Sequence, residues 1–565
     1  MNEPRPRSIS AFRVWLTAGI MLLAVVVLVA RAVNLQVTDA EFLQSQGEAR
    51  FLRTVDIPTV RGSILDRHGE PLAVSTPVDS VWAHPGELLQ ASDRLAELAE
   101  VLEIPVDVLE RRLTQRATRE FVWLQRRVHP ELAAQVADLA IPGVFLQPEY
   151  RRFYPTAEVT AQVLGFTNID DAGQEGLELA YNAWLQGEPG AKRVIKDRLG
   201  RVVQDIDLIR EASPGRDLQL TLDRRLQYLA FRALKQGIEQ VQARSGSVVV
   251  MDVTNGEILA MVNFPSYNPN APVRAVGEGI RNRAMTDVLE PGSVIKPFAV
   301  AAAMEAGLAT PDMPIDTTPG TLRVSGHTIR DVRNFGETTV EGLLVKSSNV
   351  GVVQLVLSMD ARHLWGLYSR LGFGAVTGTG FPGESAGVLR DYERWRKLEQ
   401  ATLAYGYGLS VTPLQLVRAM AAVADDGRLH QPSFIVGADN PAQSVIDPAL
   451  AREVAAMLEA ATGPEGTGQL ARVPGYRVAG KTGTTRLVGT AGYESRYVSS
   501  FAGFAPVSRP ALAAVVVIDD PAGDRYYGGQ VAAPVFSQVM AAALRLFSVP
   551  PDDLSGLIAA AGESQ

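Results

Sequence analysis

Ser293 and Lys296 are the residues of this 565-residue chain whose types and spacing most directly suggest chemistry. Positions i and i+3 lie on the same face of a helix, so the lysine amine can reach the serine hydroxyl if a helix starts here. A serine hydroxyl is a weak nucleophile until an adjacent base accepts its proton. Burial and a second cation, Lys481, would both lower the pKa of the Lys296 amine. The pair therefore predicts covalent catalysis through Ser293, with neutral Lys296 as the base.

The flanking sequence predicts that Ser293 stands at the start of that helix. Pro291-Gly292 favours a turn, and the residues from 298 to 306 are mostly alanine and other good helix formers. Pro297 is tolerated only in the first turn of a helix. Backbone N–H groups and the positive end of the helix dipole favour a developing oxyanion at such a position.

A second candidate group is the segment Ser347-Ser348-Asn349. Ser347 and Asn349 alternate by two residues, so a short turn between helices could point a hydroxyl and an amide into one cleft. We expect Ser347 to relay a proton to a leaving amine and Asn349 to hold the substrate backbone. The segment is also typical of a helix cap, because an apolar run follows it. The two interpretations are compatible.

A third group is Lys481-Thr482-Gly483-Thr484, which follows a stretch whose apolar alternation predicts a strand over 476–482. Gly483 allows close approach of another backbone, and an edge strand can pair with an extended peptide. Lys481 and the two threonines are then expected to bind the terminal carboxylate of that peptide.

The same region also fits the phosphate-binding loop G-x-x-x-x-G-K-[ST], from Gly475 to Thr482. That motif requires a strand before it and a helix after it. The residues that follow, from Gly483 to Gly489, are poor helix formers, and the interior of the motif is typical of a strand. The sequence therefore favours a strand over a nucleotide site.

Residues 14–30 form an uncharged apolar run between Arg13 and Arg31, long enough for a short membrane-spanning helix. Arg5, Arg7 and Arg13 precede it and predict a cytoplasmic N-terminus. A cleaved signal peptide is the alternative, but the run exceeds the usual apolar length of such peptides. We therefore expect a retained anchor, with nearly everything after residue 36 outside the cytoplasmic membrane.

Composition excludes several classes of function. The chain has no cysteine, which rules out disulfides and thiolate metal sites. Its six histidines are scattered without paired spacing, so no metal site is expected from them. A net charge of −8 with no basic block argues against nucleic-acid binding.

Strands predicted near both ends of the region after residue 215, with helices between them, indicate an α+β domain with an antiparallel sheet and a helical subdomain. The predicted strands lie near 245–253, 257–262, 476–482, 497–505 and 512–518. Helices are predicted at 95–113, as two amphipathic helices with a break at Ile104-Pro105, and at 224–242, 293–425 and 534–546. In order, we expect a cytoplasmic tail over 1–13, a transmembrane helix over 14–36, an extended non-catalytic pedestal over 37–214, a catalytic domain over 215–548 and a C-terminal tail over 549–565.

The motifs S-x-x-K, S-x-N and K-T-G, in this order, are the active-site signature of the penicillin-interacting serine acyltransferases. Over nearly its whole length the chain resembles the class B penicillin-binding proteins, and in particular their division-specific, septal branch. Further motifs carry this resemblance, at 61–69, 152–155, 173–178, 246–269, 282–296, 405–413 and 526–529. His68 alone stands where asparagine is common in the family.

The resemblance implies a peptidoglycan D,D-transpeptidase that β-lactams inhibit and that needs no metal or organic cofactor. Ser293 would attack the carbonyl of the penultimate D-Ala of a stem pentapeptide and release the terminal D-Ala. The amine of a diaminopimelate on a neighbouring stem would then accept the acyl group. The backbone N–H groups of Ser293 and Thr484 would form the oxyanion hole.

The resemblance also implies a location and partners. The protein would cross the inner membrane once, with its catalytic domain in the periplasm at the division septum. Its pedestal, which would carry no glycosyltransferase, would contact divisome proteins including the lipid-II polymerase FtsW. Arg61 and Arg67 could serve such contacts, or could only hold the pedestal to the catalytic domain.

Three alternatives stay open at this point. A β-lactamase or D,D-carboxypeptidase of the same superfamily would share the three motifs, although it would need neither an anchor nor a pedestal. A penicillin-sensing receptor or a divisome scaffold is a second alternative, although only about a dozen residues are predicted to lie inside the cell. The elongation-specific class B enzyme is the third.

Overall fold

A computed structural model describes residues 11–38, 52–196, 202–271, 279–489 and 492–553. The chain divides into two compact units. The first comprises Met1–Val60, Pro77–Arg151 and Gly187–Pro214, and the second comprises Arg61–Thr76, Arg152–Gln186 and Gly215–Gln565. Two segments of the predicted pedestal therefore group with the catalytic part of the chain.

The N-terminal helix runs over Ala11–Val33 and continues as a π-helical turn over Asn34–Thr38. None of its residues is buried. Within the described residues it is the one helix long and apolar enough to cross a membrane. The helix covers most of the predicted span of 14–36, and most of the predicted tail lies outside the described residues.

The first unit contains two groups of strands. Leu52–Ile57, Gly190–Lys196 and Val202–Arg210 form an antiparallel sheet in that order. Val122–Val128 and Val144–Phe153 pair with Pro71–Ala83, and the parts of these strands within residues 77–151 belong to this unit. Helices pack a small core that includes Leu98, Leu109 and Val136. These helices are Pro85–Leu88, Leu95–Val101, Val106–Thr114 and Pro130–Leu139. The predicted break at Ile104-Pro105 is confirmed, because one helix ends at Val101 and the next begins at Val106.

The second unit is built on a five-stranded antiparallel sheet, called the central sheet below. Its strands are, in spatial order, Ile258–Phe264, Ser245–Asp252, Leu512–Asp519, Gly492–Ala505 and Ala479–Gly489. Both faces are covered, and successive residues point to opposite faces of a strand. Val248 and Val250 accordingly pack beneath the helices Arg224–Gln240 and Gly528–Leu546, whereas Val249 and Met251 face the helical subdomain.

The helical subdomain occupies the part of the chain between the strands Ile258–Phe264 and Ala479–Gly489. Its longer helices are Lys296–Glu305, Val340–Lys346, Asn349–Leu357, Ala361–Arg370, Lys397–Leu403, Pro413–Ala424 and Pro448–Ala460. Short antiparallel strand pairs interrupt it: Pro314–Asp316 with Glu337–Thr339, Thr321–Val324 with His327–Arg330, and Arg428–His430 with Ala442–Ser444.

The segments Arg61–Thr76 and Arg152–Gln186 contribute side chains to the core of the second unit. Ile64, Leu72, Tyr154 and Leu177 are buried in the same hydrophobic cluster as the helices of the subdomain. Their short elements are the strand Ile64–Leu65 and the helices Ala161–Leu164, Gly176–Ala180 and Asn182–Leu185. These segments are therefore part of how the catalytic unit folds.

The predicted α+β architecture with an antiparallel sheet is confirmed, and several boundaries differ. The strand predicted over 476–482 begins only at Ala479, because Val473–Tyr476 forms a turn before it. The strand then continues beyond the predicted end to Gly489. The last helix begins at Gly528 instead of Pro534, and the proline lies inside it. The stretch predicted as helical over 293–425 contains two strand pairs between 314 and 339.

Candidate active site

Ser293 lies in a 3-10 turn over Gly292–Ile295, called the nucleophile turn below, which leads into the helix Lys296–Glu305. Pro297 occupies the first turn of that helix, so the predicted helix start is confirmed. Gly292 has a φ of 55°, and a Cβ atom added there would lie 2.4 Å from Cγ2 of Thr485. A side chain at 292 would therefore be strained and would push the turn away from the neighbouring strand.

Lys296 is fully buried behind the nucleophile turn. Its Nζ donates to the backbone carbonyl of Ser347 over 2.6 Å and to the Ser347 hydroxyl over 3.2 Å. Burial holds the pKa of Lys296 well below its usual range, the charge of Lys481 lowers it further, and the charge of Asp331 opposes both. The balance favours the neutral amine, which is the form that can accept a proton.

The Ser347–Asn349 segment joins two helices. Ser347 follows the helix Val340–Lys346 with a φ of 59°, and Ser348 caps the helix Asn349–Leu357 by accepting from Gly351 N–H. The Asn349 side chain donates to the carbonyl of Arg330 over 2.9 Å. The capping role thus falls to Ser348, which leaves Ser347 and Asn349 at the cleft.

Asp331 holds this segment in place, and the sequence patterns did not identify it. Its carboxylate accepts from the Ser348 hydroxyl over 2.6 Å, from Val350 N–H over 3.0 Å and from Asn349 N–H. A carboxylate at a helix N-terminus is stabilised by the backbone N–H groups and the dipole. Asp331 lies well before the motif in the chain, so no local spacing signals it.

Lys481 is the second buried lysine of the site, on the strand Ala479–Gly489. Its Nζ lies 3.3 Å from the hydroxyl of Thr482 and 3.4 Å from that of Thr467, and these two hydroxyls are 2.9 Å apart. Burial lowers the pKa of Lys481 to about 7. Its contacts are neutral oxygens, which leaves the amine able to bind an incoming carboxylate.

The strand Ala479–Gly489 is an edge of the central sheet, as predicted, and we call it the edge strand. Gly483 is required at its closest approach to the nucleophile turn. A Cβ atom there would lie 2.3 Å from Oγ of Ser500, 2.8 Å from Cγ2 of Val294 and 2.9 Å from the carbonyl oxygen of Pro291. The hydroxyl of Thr484 accepts from Gly528 N–H over 2.9 Å, which fixes it against the last helix.

The cleft has a volume of about 600 Å³ and brings together most of the predicted residues. It is lined by Ser293, Ser347, Asn349, Thr482 and Thr484. Lys296 and Lys481 lie buried behind its surface, and Gly483 is buried within the edge strand. Residues outside the three active-site motifs form other parts of the wall: Phe335, Tyr405, Tyr407, Thr467 and Tyr527.

The phosphate-loop interpretation is wrong for the segment Gly475–Thr482. The residues after Lys481 continue as a strand to Gly489, where the motif would need a helix. Gly406 and Gly408 lie in a turn with φ values of 89° and 88°. The tyrosines beside those glycines face the cleft.

Two family descriptions match the chain. Residues 246–541 match the penicillin binding protein transpeptidase domain, and residues 56–220 match the penicillin-binding protein dimerisation domain. The chain is a class B penicillin-binding protein.

Relatives of this penicillin-binding protein cover nearly all of it. It is 42% identical over 553 residues to the peptidoglycan D,D-transpeptidase FtsI of Escherichia coli K12, covering 96% of this chain and 93% of the relative. The apo TP domain of Burkholderia pseudomallei penicillin-binding protein 3 is 40% identical, with a TM-score of 0.55, and the match covers 59% of this chain and 97% of that one. Mycobacterium tuberculosis penicillin-binding protein 3, solved with aztreonam, is 27% identical, with a TM-score of 0.68 and coverage of 88% and 98%.

Proposed function

We propose that this penicillin-binding protein is a serine D,D-transpeptidase that cross-links septal peptidoglycan through an acyl-enzyme on Ser293. The observation that carries the proposal is the burial of Lys296 at the helix start that presents Ser293, with its amine on Ser347. A buried lysine that is neutral for part of the time is a competent general base. The FtsI relatives support peptidoglycan as the substrate and septal cross-linking as the role.

In the acylation step, Lys296 accepts the hydroxyl proton of Ser293 as Oγ attacks the carbonyl carbon of the penultimate D-Ala. The oxyanion that forms is assigned to the backbone N–H groups of Ser293 and Thr484. When the tetrahedral intermediate collapses, the C–N bond breaks and the leaving amine takes a proton through the Ser347 hydroxyl. Terminal D-Ala departs and the ester on Ser293 remains.

In the transfer step, the amine of a neighbouring stem peptide attacks that ester. The amine loses a proton to the Lys296–Ser347 pair, a new amide bond forms, and Ser293 leaves as an alkoxide that takes the proton back. A β-lactam enters the same acylation step, but its leaving group stays attached and the ester persists. We propose this as the basis of inhibition.

Substrate recognition is assigned to the edge strand. An extended stem peptide can add to its free edge by backbone hydrogen bonds. The terminal carboxylate would then meet Lys481, with the hydroxyls of Thr482 and Thr484. Binding of an anion favours the charged form of Lys481, whose pKa of about 7 leaves it only partly charged before substrate arrives.

The N-terminal apolar helix and the FtsI relatives indicate a single-pass membrane protein of the division machinery. We propose that its N-terminus is cytoplasmic, because Arg5, Arg7 and Arg13 precede the span. The catalytic unit then lies in the periplasm at the septum. FtsW is the partner that we propose for the pedestal, on the resemblance alone.

Labelling with a fluorescent penicillin, followed by peptide mapping, tests the nucleophile. We expect a single adduct on Ser293, and none in a folded Ser293→Ala variant. Incubation with a stem pentapeptide and an acceptor amine tests the reaction class. Release of D-Ala with a cross-linked product supports transpeptidation, whereas release with only a hydrolysed tetrapeptide would indicate a carboxypeptidase.

A further inference from the structure

Glu290 lies three residues before Ser293 and anchors the segment that leads into the nucleophile turn. Its carboxylate accepts from the backbone N–H of Gly408 over 2.9 Å. The Tyr493 hydroxyl donates to the same carboxylate, 3.0 and 3.2 Å from its two oxygens. The backbone carbonyl of Glu290 accepts from the Thr485 hydroxyl over 3.2 Å. One residue therefore joins the approach to Ser293 to three other segments.

The first of these segments, which we call the tyrosine loop, comprises residues 405–408 and packs directly on the nucleophile turn. The N–H of Gly292 donates to the carbonyl of Gly406 over 3.2 Å. A Cβ atom added at Gly406 would lie 2.2 Å from the carbonyl oxygen of Gly292 and 2.4 Å from its nitrogen. Because no space separates the loop from the turn, a shift of the loop displaces the turn.

The second segment is the strand Gly492–Ala505, which forms a hairpin with the edge strand and carries Tyr493. The Tyr493 ring packs edge-on against Tyr407, with ring centroids 5.4 Å apart, and Tyr407 packs against Tyr405 at the same distance. Tyr405 and Tyr407 line the cleft that contains Ser293. Tyr493 thus contacts the cleft wall with its ring and Glu290 with its hydroxyl.

The Glu290 carboxylate is held by neutral donors. Among the described residues, no lysine or arginine forms a salt bridge with it within 4.0 Å. Burial outweighs the hydrogen bonds from Gly408 and Tyr493 and raises the pKa of Glu290. A partly buried carboxylate without a cation is costly for stability. Such groups are found at functional sites more often than in ordinary cores.

We propose that Glu290 is a positioning residue for acyl transfer, whose carboxylate fixes the tyrosine loop and the Tyr493 hairpin against the turn that presents Ser293. Its contacts are to neighbouring segments and not to the reacting atoms, so it acts through geometry. The inference rests on the proposed acylation of Ser293 and makes that step depend on the hairpin. A misplacement of about 1 Å at a reacting group can cost about 100-fold in rate.

Rapid-mixing kinetics with a fluorescent penicillin on the full-length, detergent-solubilised protein separate binding from acylation. Glu290→Ala should lower the acylation rate constant about tenfold or more, while the dissociation constant of the complex before acylation changes less than about threefold. Glu290→Gln should recover most of the rate, because its amide oxygen still accepts a hydrogen bond from Gly408 or Tyr493. Tyr493→Phe keeps the ring on Tyr407 and should cause a smaller loss.

The double variant Glu290→Ala/Tyr493→Phe should acylate at the same rate as Glu290→Ala, because both changes remove the same hydrogen bond between the Tyr493 hydroxyl and the Glu290 carboxylate. Glu494→Gln is the matched control. Glu494 follows Tyr493 on the strand Gly492–Ala505 but pairs with Arg496 at the surface. A wild-type rate constant in folded Glu290→Ala, or losses that add in the double variant, would overturn the proposal. Peptide mapping of the wild type comes first: an adduct elsewhere than Ser293 would contradict the proposed function instead.

Discussion

The amine of Lys296 lies 2.6 Å from the backbone carbonyl oxygen of Ser347 and 3.2 Å from its hydroxyl oxygen. A fully buried amine that donates to neutral oxygens loses most of its hydration without gaining an ion pair, so its neutral form is favoured. The Ser347 hydroxyl is thus within hydrogen-bond distance of the amine, as the proposed proton relay requires. The residues that we propose as base and proton relay are therefore in direct contact before substrate binds.

Arginine substitutions distinguish the roles of the two buried lysines. Lys296→Arg should slow penicillin acylation by about 100-fold or more, because arginine cannot act as a base. Lys481→Arg should retain more activity, because carboxylate recognition needs a cation and not a proton acceptor. The acylation rate constants of the two variants check this, and the reverse order would mean that the roles are exchanged.

Removing the charge of Lys481 should shift the pH dependence of acylation. The charge of Lys481 lowers the pKa of Lys296, so Lys481→Met should raise that pKa. In the proposed mechanism acylation needs the neutral amine and increases as pH rises through the pKa of Lys296. The acidic limb of the profile should therefore move to higher pH. An unchanged limb in Lys481→Met would show that the two lysines are not coupled.

Asp331→Asn should move the same limb in the opposite direction. The carboxylate raises the pKa of Lys296, so its removal should lower that pKa and move the acidic limb to lower pH. The variant also weakens the hydrogen bonds to Ser348 and Val350, at a cost of about 1–3 kcal/mol in the free energy of unfolding. Rate profiles and denaturant unfolding measure the two effects separately. A common direction of shift for Asp331→Asn and Lys481→Met would contradict the electrostatic argument.

Gly483→Ala should impair acylation by displacing the nucleophile turn. The new methyl group would lie 2.3 Å from Oγ of Ser500 and 2.8 Å from Cγ2 of Val294, and Val294 directly follows Ser293. Overpacking of this kind typically costs about 1–3 kcal/mol. In the double variant Gly483→Ala/Ser500→Ala the contact with Val294 persists, so acylation should stay impaired. Full recovery of the acylation rate in that variant would show that the turn is not displaced.

The parts of the site that were predictable from sequence are those that local geometry determines. Ser293 and Lys296 needed only a helix start, which Pro291-Gly292 and Pro297 indicate. The position of Lys481 on an edge strand followed from the apolar alternation before it and from Gly483. In each case a few consecutive residues contain the whole signal.

The parts that were missed depend on contacts between distant segments. Asp331 acts on a motif well downstream of it, and Thr467 contacts Lys481 across a turn. Tyr405 and Tyr407 were noted only as part of a family motif, because nothing near them in the chain shows that they face Ser293. The strand start at Ala479 was missed because residues 476–478 have strand-forming types but follow a turn.

The buried ion cluster of Arg61, Arg152 and Glu178 gives a prediction about stability. Arg61 and Arg152 each donate to Glu178 over 2.7 Å, and the exposed fractions of the three residues are 3%, 4% and 0%. A buried position favours the structural role for Arg61 over a direct contact with a partner. Glu178→Ala leaves two guanidinium groups buried without their carboxylate and should lower the free energy of unfolding by about 3–5 kcal/mol.

Glu494→Ala is the matched control for that change. Glu494 pairs with Arg496 at the surface, where both side chains are more than two-fifths exposed, and loss of such a pair should cost at most about 1 kcal/mol. Arg61→Glu should destabilise the protein still more than Glu178→Ala, because the new carboxylate would lie against that of Glu178 in one buried site. Thermal unfolding of the four proteins, wild type included, orders these effects. If Arg61→Glu folds with wild-type stability and labels normally with penicillin but fails to support septation, Arg61 serves a partner and the structural interpretation is wrong.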